Sequence, residues 1–141
     1  MKFDCHIPTK ILFGAGRLND LATVELPGKK ALIVISGGTS MHKYGYLRRV
    51  QELLAKQGVE NVVFDKILPN PILDHVTEGA ELARKEGCDF ILGLGGGSSI
   101  DSSKSIAVMA KNPGNYWDYI GGGSGKGLFP KEGALPIFAL S

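Results

Sequence analysis

Residues 90–104 read FILGLGGGSSIDSSK: an apolar run, consecutive glycines, then two serines that open a mixed stretch. That succession predicts a buried strand, an abrupt turn and a helix start. A helix start leaves main-chain N–H groups unpaired at the positive end of the macrodipole. Glycines ahead of it place no Cβ between those amides and an approaching anion. The chemistry is phosphate binding, with Gly95, Gly96, Gly97 and Ser98 as the seat. The run from Gly93 to Ser98 approximates the G-x-G-x-x-G dinucleotide fingerprint, with Ser98 where the third glycine belongs. Ser98 is expected to cap the helix and to offer its hydroxyl to a phosphate oxygen. Asp101 completes an S-x-x-D pattern resembling a capping box. It reads as a first-turn acid or as a carboxylate beside a dinucleotide's ribose or nicotinamide amide. Lys104 lies too deep in the helix for a Walker-type loop.

A second candidate lies at Ser36-Gly37-Gly38-Thr39-Ser40, again between an apolar run and a helix. In nucleotide-binding sheets such a strand end meets the adenosine ribose. An acid there would accept the 2′-hydroxyl and repel a 2′-phosphate. This segment carries no acid; Gly37, Gly38, Thr39 and Ser40 supply space and small donors, and His42 and Lys43 follow. That chemistry accommodates a 2′-phosphate. Asn70, between two prolines, is held rigidly enough to aim an amide. His6, His42 and His75 share no ligand spacing, Cys5 and Cys88 match no metal or redox pattern, and no Ser/His/Asp set follows from spacing. Trp117 and its neighbouring tyrosines read as packing, and residues 121–127 (GGGSGKG) as a mobile loop that fails the Walker pattern.

The elements that must hold these loops follow from hydrophobic pattern. Residues 3–13 favour extended structure at a sheet edge or hairpin, and 17–24 a short helix. Strands are expected at 31–35, 62–67, 90–94 and 135–140, the last as a buried-looking strand. Amphipathic helices are expected at about 46–57, after Pro71 up to Gly87, and from Ser98 to about Lys111, the last with Ile100, Ala107 and Ala110 inward. Gly58 and Gly87 are placed to close the first two. Alternating strands and helices make an α/β domain: a Rossmann-like, mainly parallel sheet with helices on both faces and binding loops at the strands' carboxyl ends.

Composition narrows the class further. At 141 residues the chain is one domain, 1–141, and with no following helix it reads as truncated. A net charge of +2 with both signs interspersed argues against a nucleic-acid partner. No run reaches the ~20 apolar residues of a membrane span, and the opening MKFDCHIPTK lacks the apolar core of a leader. The expected setting is cytoplasmic, with no membrane partner.

Taken together, the opening FDCHIPTKILFGAG, the strand ALIVI with its glycine loop, LPNP, GCDFILGLGGGSSIDSSK and the final LPIFALS resemble the N-terminal domain of the iron-containing (group III) alcohol dehydrogenases. Residues 95–104, GGGSSIDSSK, fit that family's G-G-G-S-x-x-D-x-x-K pattern, and the glycine-rich loop at 36–40 is similar to its NADPH-dependent butanol dehydrogenase type. The resemblance implies a two-domain parent. Its helical second domain would bind Fe²⁺ or Zn²⁺, and hydride would pass between NADP(H), rather than NAD, and a small alcohol or aldehyde. A homo-oligomer is expected, since the face left bare by the absent domain would tend to self-associate. Carried over, Gly95–Ser98 would hold the diphosphate, Asp101 would lie near the nicotinamide, Gly37–Ser40 would take the adenosine ribose phosphate, and Asn70 would line the cleft. No catalytic residue or metal ligand falls in these 141 residues, so the chain alone is expected to be inactive, with a bare apolar face. Two alternatives stay open: a glycerol-dehydrogenase or dehydroquinate-synthase relative, and a non-catalytic phosphate-ligand-binding module.

Overall fold

The computed structural model describes residues 2–4, 8–69 and 72–141. Asn70, Cys5 and His6 lie outside the described residues. Four strands form one sheet: β1 (Lys30–Ser36), β2 (Glu60–Ile67), β3 (Phe90–Leu94) and β4 (Ile137–Leu140), in the order β2-β1-β3-β4. All pairs are parallel, which is why β1 and β3, at the centre, carry unbroken apolar runs buried on both faces. The helices are α1 (Ser40–Lys43), α2 (Tyr46–Lys56), α3 (Leu73–Glu86) and α4 (Gly97–Lys111), with 3₁₀ turns at Arg17–Ala22 and Tyr116–Tyr119.

Each face of the sheet has its own core. On one, α2 sets Leu47, Val50, Leu53 and Leu54 against Ile33, Ile35 and Leu92, with Leu21 of the first 3₁₀ turn beside them. Each buried aliphatic side chain contributes about 1.5–3 kcal/mol, so these four contacts hold α2 in place. On the other face, α3 presents Val76, Ala80 and Ala83, and α4 presents Ile106, Ala107 and Met109, to Leu32, Val34 and Ile91. Gly58 and Gly87, with φ of 68° and 66°, end α2 and α3 in the left-handed conformation that L side chains avoid.

The inner face of α4 departs from the expected set. Ser99, Ser102 and Ser103 are buried alongside Ile106 and Ala107, whereas Ile100 and Ala110 are only half-buried. Small residues win because the helix lies close on β3. A Cβ on Gly93 would stand 2.7 Å from Ser103 Oγ. Asn112, 3% exposed, ends α4: its amide donates to Val108 O and Gly133 O, and its oxygen accepts from Glu132 N–H.

Two further expectations need correction. The described residues between 3 and 13 form no strand, and Phe13 is 95% exposed, because they pair with no neighbour that could repay the ordering of a strand. β4 is an edge strand of alternating exposed and half-buried residues, not a buried one. Residues 121–127, expected as a mobile loop, are bonded back onto the 3₁₀ turn that precedes them. Gly127 N–H donates to Ile120 O, Trp117 Nε1–H donates to Ser124 Oγ at 2.9 Å, and Lys126 pairs with Asp118 at 3.1 Å.

Asp89, just before β3, accepts from the main-chain N–H groups of Lys29 and Lys30 at 2.8 and 2.9 Å and so pins the entry of β1 to that of β3. Asp89→Ala is expected to lower unfolding free energy by about 1 kcal/mol, the worth of charge-assisted bonds discounted for their exposure. Chemical denaturation measures this, and an unchanged midpoint would show that the latch carries no load. The adjacent Cys88 is buried; loss of solvation raises its thiol pKa, Lys30 pulls the other way, and Glu86 and Asp89 add to the rise. The thiol is therefore protonated at neutral pH and a poor nucleophile.

Candidate functional site

From the end of β1 the chain turns to β2 on one side, and from the end of β3 to β4 on the other, so the connections diverge between β1 and β3. A crevice opens at the carboxyl ends of two such strands. In the β1–β3 register Val34 stands beside Gly93; extended, it sets Ser36 level with Gly95. The two glycine-rich segments of the sequence thus become neighbours at one lip of the sheet.

At β3 the turn is built as expected in its main chain but not in its serine. Gly95 has φ of 129°, and its N–H donates to Leu140 O at 2.9 Å, so β4 braces the turn. Gly96 and Gly97 are exposed, and a Cβ on either would meet nothing within 4 Å. That open space is what an anion needs to reach the amides at the start of α4. The N-cap is Gly96, whose carbonyl accepts from Ser99 and Ile100 N–H. Ser98 therefore sits inside the first turn and does not cap it, and no capping box with Asp101 forms. Its Oγ–H donates instead to Pro69 O at 2.7 Å, holding Pro69 against the turn. Asp101 is exposed, pairs with Lys104 at 2.9 Å, and faces a hollow on the α3 side.

At β1 the glycines differ in what they tolerate. Gly37 N–H donates to Ile67 O, and a Cβ there would come within 3.1 Å of Asp65 O. Gly38 has room: its nearest such contact is Ser36 Oγ at 3.8 Å. Thr39 precedes α1, and its side chain makes no capping bond.

An acid does stand near this loop, contrary to the expectation drawn from the β1 segment alone. The β1–β2 register slips between Val34 and Ser36, so β2 carries an extra residue opposite them. The slip lies at Asp65 and Lys66. Asp65 Oδ2 stands 4.0 Å from His42 Nε2, and Lys66 pairs with Glu78 of α3. The only sequence signal was an Asp-Lys pair late in a strand otherwise apolar at its centre.

Among the described residues no three His, Cys, Asp or Glu side chains group so as to hold a metal ion. Among the described residues, too, no helix is long and apolar enough to cross a membrane.

A parallel sheet with helices on both faces and paired glycine-rich strand ends at its switch point is a Rossmann-like domain. The chain belongs to the iron-containing alcohol dehydrogenase family, whose model matches residues 8–141. It is 35% identical over 138 residues to alcohol dehydrogenase 4 of Saccharomyces cerevisiae, covering 96% of this chain and 34% of that one. With the NADPH-dependent butanol dehydrogenase of Clostridium saccharobutylicum it shares 36% identity over 114 residues, 81% of this chain and 29% of the relative. The crystal structure of NADH-dependent butanol dehydrogenase A from Thermotoga maritima superposes with a TM-score of 0.83 at 37% identity, covering 98% of this chain and 34% of that one. The chain thus spans about a third of the length of these relatives.

Proposed function

We propose that residues 1–141 are the cofactor-binding domain of an NAD(P)-linked, metal-dependent alcohol dehydrogenase or aldehyde reductase, acting in the full-length parent on small alcohols or aldehydes. The carrying observation is the adjacency of two open glycine-rich strand ends, at β1 and β3, on one lip of a parallel sheet. Gly96 and Gly97 present main-chain amides to the diphosphate, and Gly95, its own N–H held by Leu140 O, shapes the turn that lets the diphosphate approach. Ser98 joins them only by exchanging its bond to Pro69 O for one to a phosphate oxygen. Gly37, Gly38, Thr39 and Ser40 take the adenosine ribose and its 2′-phosphate, Asn70 lines the cleft, and Asp101 stands toward the nicotinamide. The nicotinamide supplies hydride chemistry when bound; these residues bind and orient it. Iron or zinc, the cytoplasmic setting and a homo-oligomeric parent belong to the same reading.

NADP is favoured by the small donors of the β1 loop with His42 and Lys43 beyond them. Asp65 is the observation that favours NAD, since a carboxylate there repels a 2′-phosphate; its Oδ2 stands 4.0 Å from His42 Nε2. Calorimetric titration with NADPH, NADH and a sugar phosphate tests both layers. NADPH is expected to bind more tightly than NADH. NADH binding more tightly removes the NADP assignment, and binding of the sugar phosphate alone removes the dehydrogenase reading in favour of a non-catalytic module.

A further inference from the structure

The bulge in β2 sets two titratable side chains beside the β1 loop. The β1–β2 register slips between Val34 and Ser36, and such a bulge re-aims the side chains of the strand that carries it. Gly37 N–H donates to Ile67 O, and a Cβ on Gly37 would come within 3.1 Å of Asp65 O, so Asp65 lies directly alongside the loop. From the far end of the loop α1 brings His42, whose Nε2 stands 4.0 Å from Asp65 Oδ2. Both side chains are half exposed, 50% for His42 and 55% for Asp65, so either can exchange protons with solvent.

The other charges nearby are engaged elsewhere. Lys43 of α1 lies over the Tyr44 ring, 5.8 Å from its centroid, and Tyr44 meets Tyr46 of α2 edge to face. Lys66, next to Asp65, pairs with Glu78 of α3. On α2, Arg48 pairs with Glu52, and Arg49 donates to Asn19 Oδ1. Among the described residues His42 is the one basic side chain within 4.0 Å of Asp65. The net charge of the pair therefore follows the imidazole. An exposed carboxylate stays charged above about pH 5, whereas an imidazole changes charge between about pH 5 and 8. With the imidazole protonated the pair is neutral; with it deprotonated the pair carries one negative charge.

We propose that Asp65 is a specificity-determining residue of the coenzyme site and that His42 gates it. Protonated His42 cancels the carboxylate's repulsion of a 2′-phosphate, and neutral His42 restores it. A fall in pH thus shifts preference toward the 2′-phosphorylated coenzyme. This gate rests on the coenzyme reading of the β1 loop and adds to it a discrimination that depends on pH.

The test measures NADP⁺ and NAD⁺ dissociation constants by calorimetry on the full chain, at about pH 5.5 and about pH 8.5, near the two ends of the imidazole range. Preference for NADP⁺ is expected to be roughly 3- to 10-fold greater at the lower pH, the worth of one unit charge at a screened surface. A phosphate monoester itself titrates at about pH 6, so His42→Gln supplies the baseline, and the pH dependence it keeps belongs to the ligand. At the lower pH its preference is expected to lie roughly 3- to 10-fold below that of the unsubstituted chain, and at the higher pH to equal it. Asp65→Asn is expected to raise the preference at the higher pH by a similar factor. Both replacements are close in shape and sit at exposed positions, so the fold is kept. His42→Gln matching the unsubstituted chain at both pH values, or Asp65→Asn leaving the ratio unchanged, overturns the gate while the coenzyme reading stands. Binding of neither coenzyme at either pH removes the coenzyme reading, and the gate with it.

Discussion

Gly38→Asp swings coenzyme preference toward NADH by roughly 10- to 100-fold, measured as the ratio of NADPH to NADH dissociation constants. The position can take the change. Gly38 lies outside the left-handed region, and a Cβ there meets only Ser36 Oγ, at 3.8 Å. The same substitution at Gly37 would crowd the Asp65 carbonyl at 3.1 Å and disturb the bulge. A carboxylate about 5 Å from a 2′-phosphate repels it by about 3 kcal/mol per unit charge at an effective dielectric constant near 20. Screening at an open lip reduces that to about half. Each 1.4 kcal/mol is about tenfold in affinity, and the ribose hydroxyls of NADH gain an acceptor besides. An unchanged ratio would show that the β1 loop does not face the ribose.

The second large effect is on stability. Gly93→Ala is expected to cost about 1–3 kcal/mol, the usual penalty of overpacking a tight core. The new methyl would lie 2.7 Å from Ser103 Oγ and 3.2 Å from Ser103 Cβ. The hydroxyl cannot swing away freely, because it donates to Ser99 O at 2.7 Å. Ser103→Ala removes the closer contact and leaves one that a shift of a few tenths of an ångström relieves. Combined with Gly93→Ala it should recover most of the loss, giving a coupling energy in a double-mutant cycle on unfolding free energy. Additive losses would place the strain elsewhere in β3.

Both effects bear on what could be read from the chain alone. β3 and β1 were legible because central parallel strands are apolar throughout, and α2 because Leu47, Val50, Leu53 and Leu54 repeat at helical spacing. The inner face of α4 was not, since the demand there is for small volume, and serine in a helix looks like a surface residue until the neighbouring strand is seen to be a hand's breadth too close for anything larger. Asp65 was missed for a different reason. A bulge is a property of two paired strands, and nothing in β2 by itself announces which residue is extra. Ser98 shows the limit of motif reasoning: its place after three glycines suggests a cap, but Gly96 takes that role and the hydroxyl turns to Pro69.

The bond from Gly95 N–H to Leu140 O joins the anion turn to a residue near the other end of the sequence. The shape of the turn is therefore not stored in the glycine motif. A peptide cut to residues 90–104 would keep every fingerprint letter and lose the brace that aims its amides. The seat for the anion is therefore complete only when the edge strand β4 is in place beside β3.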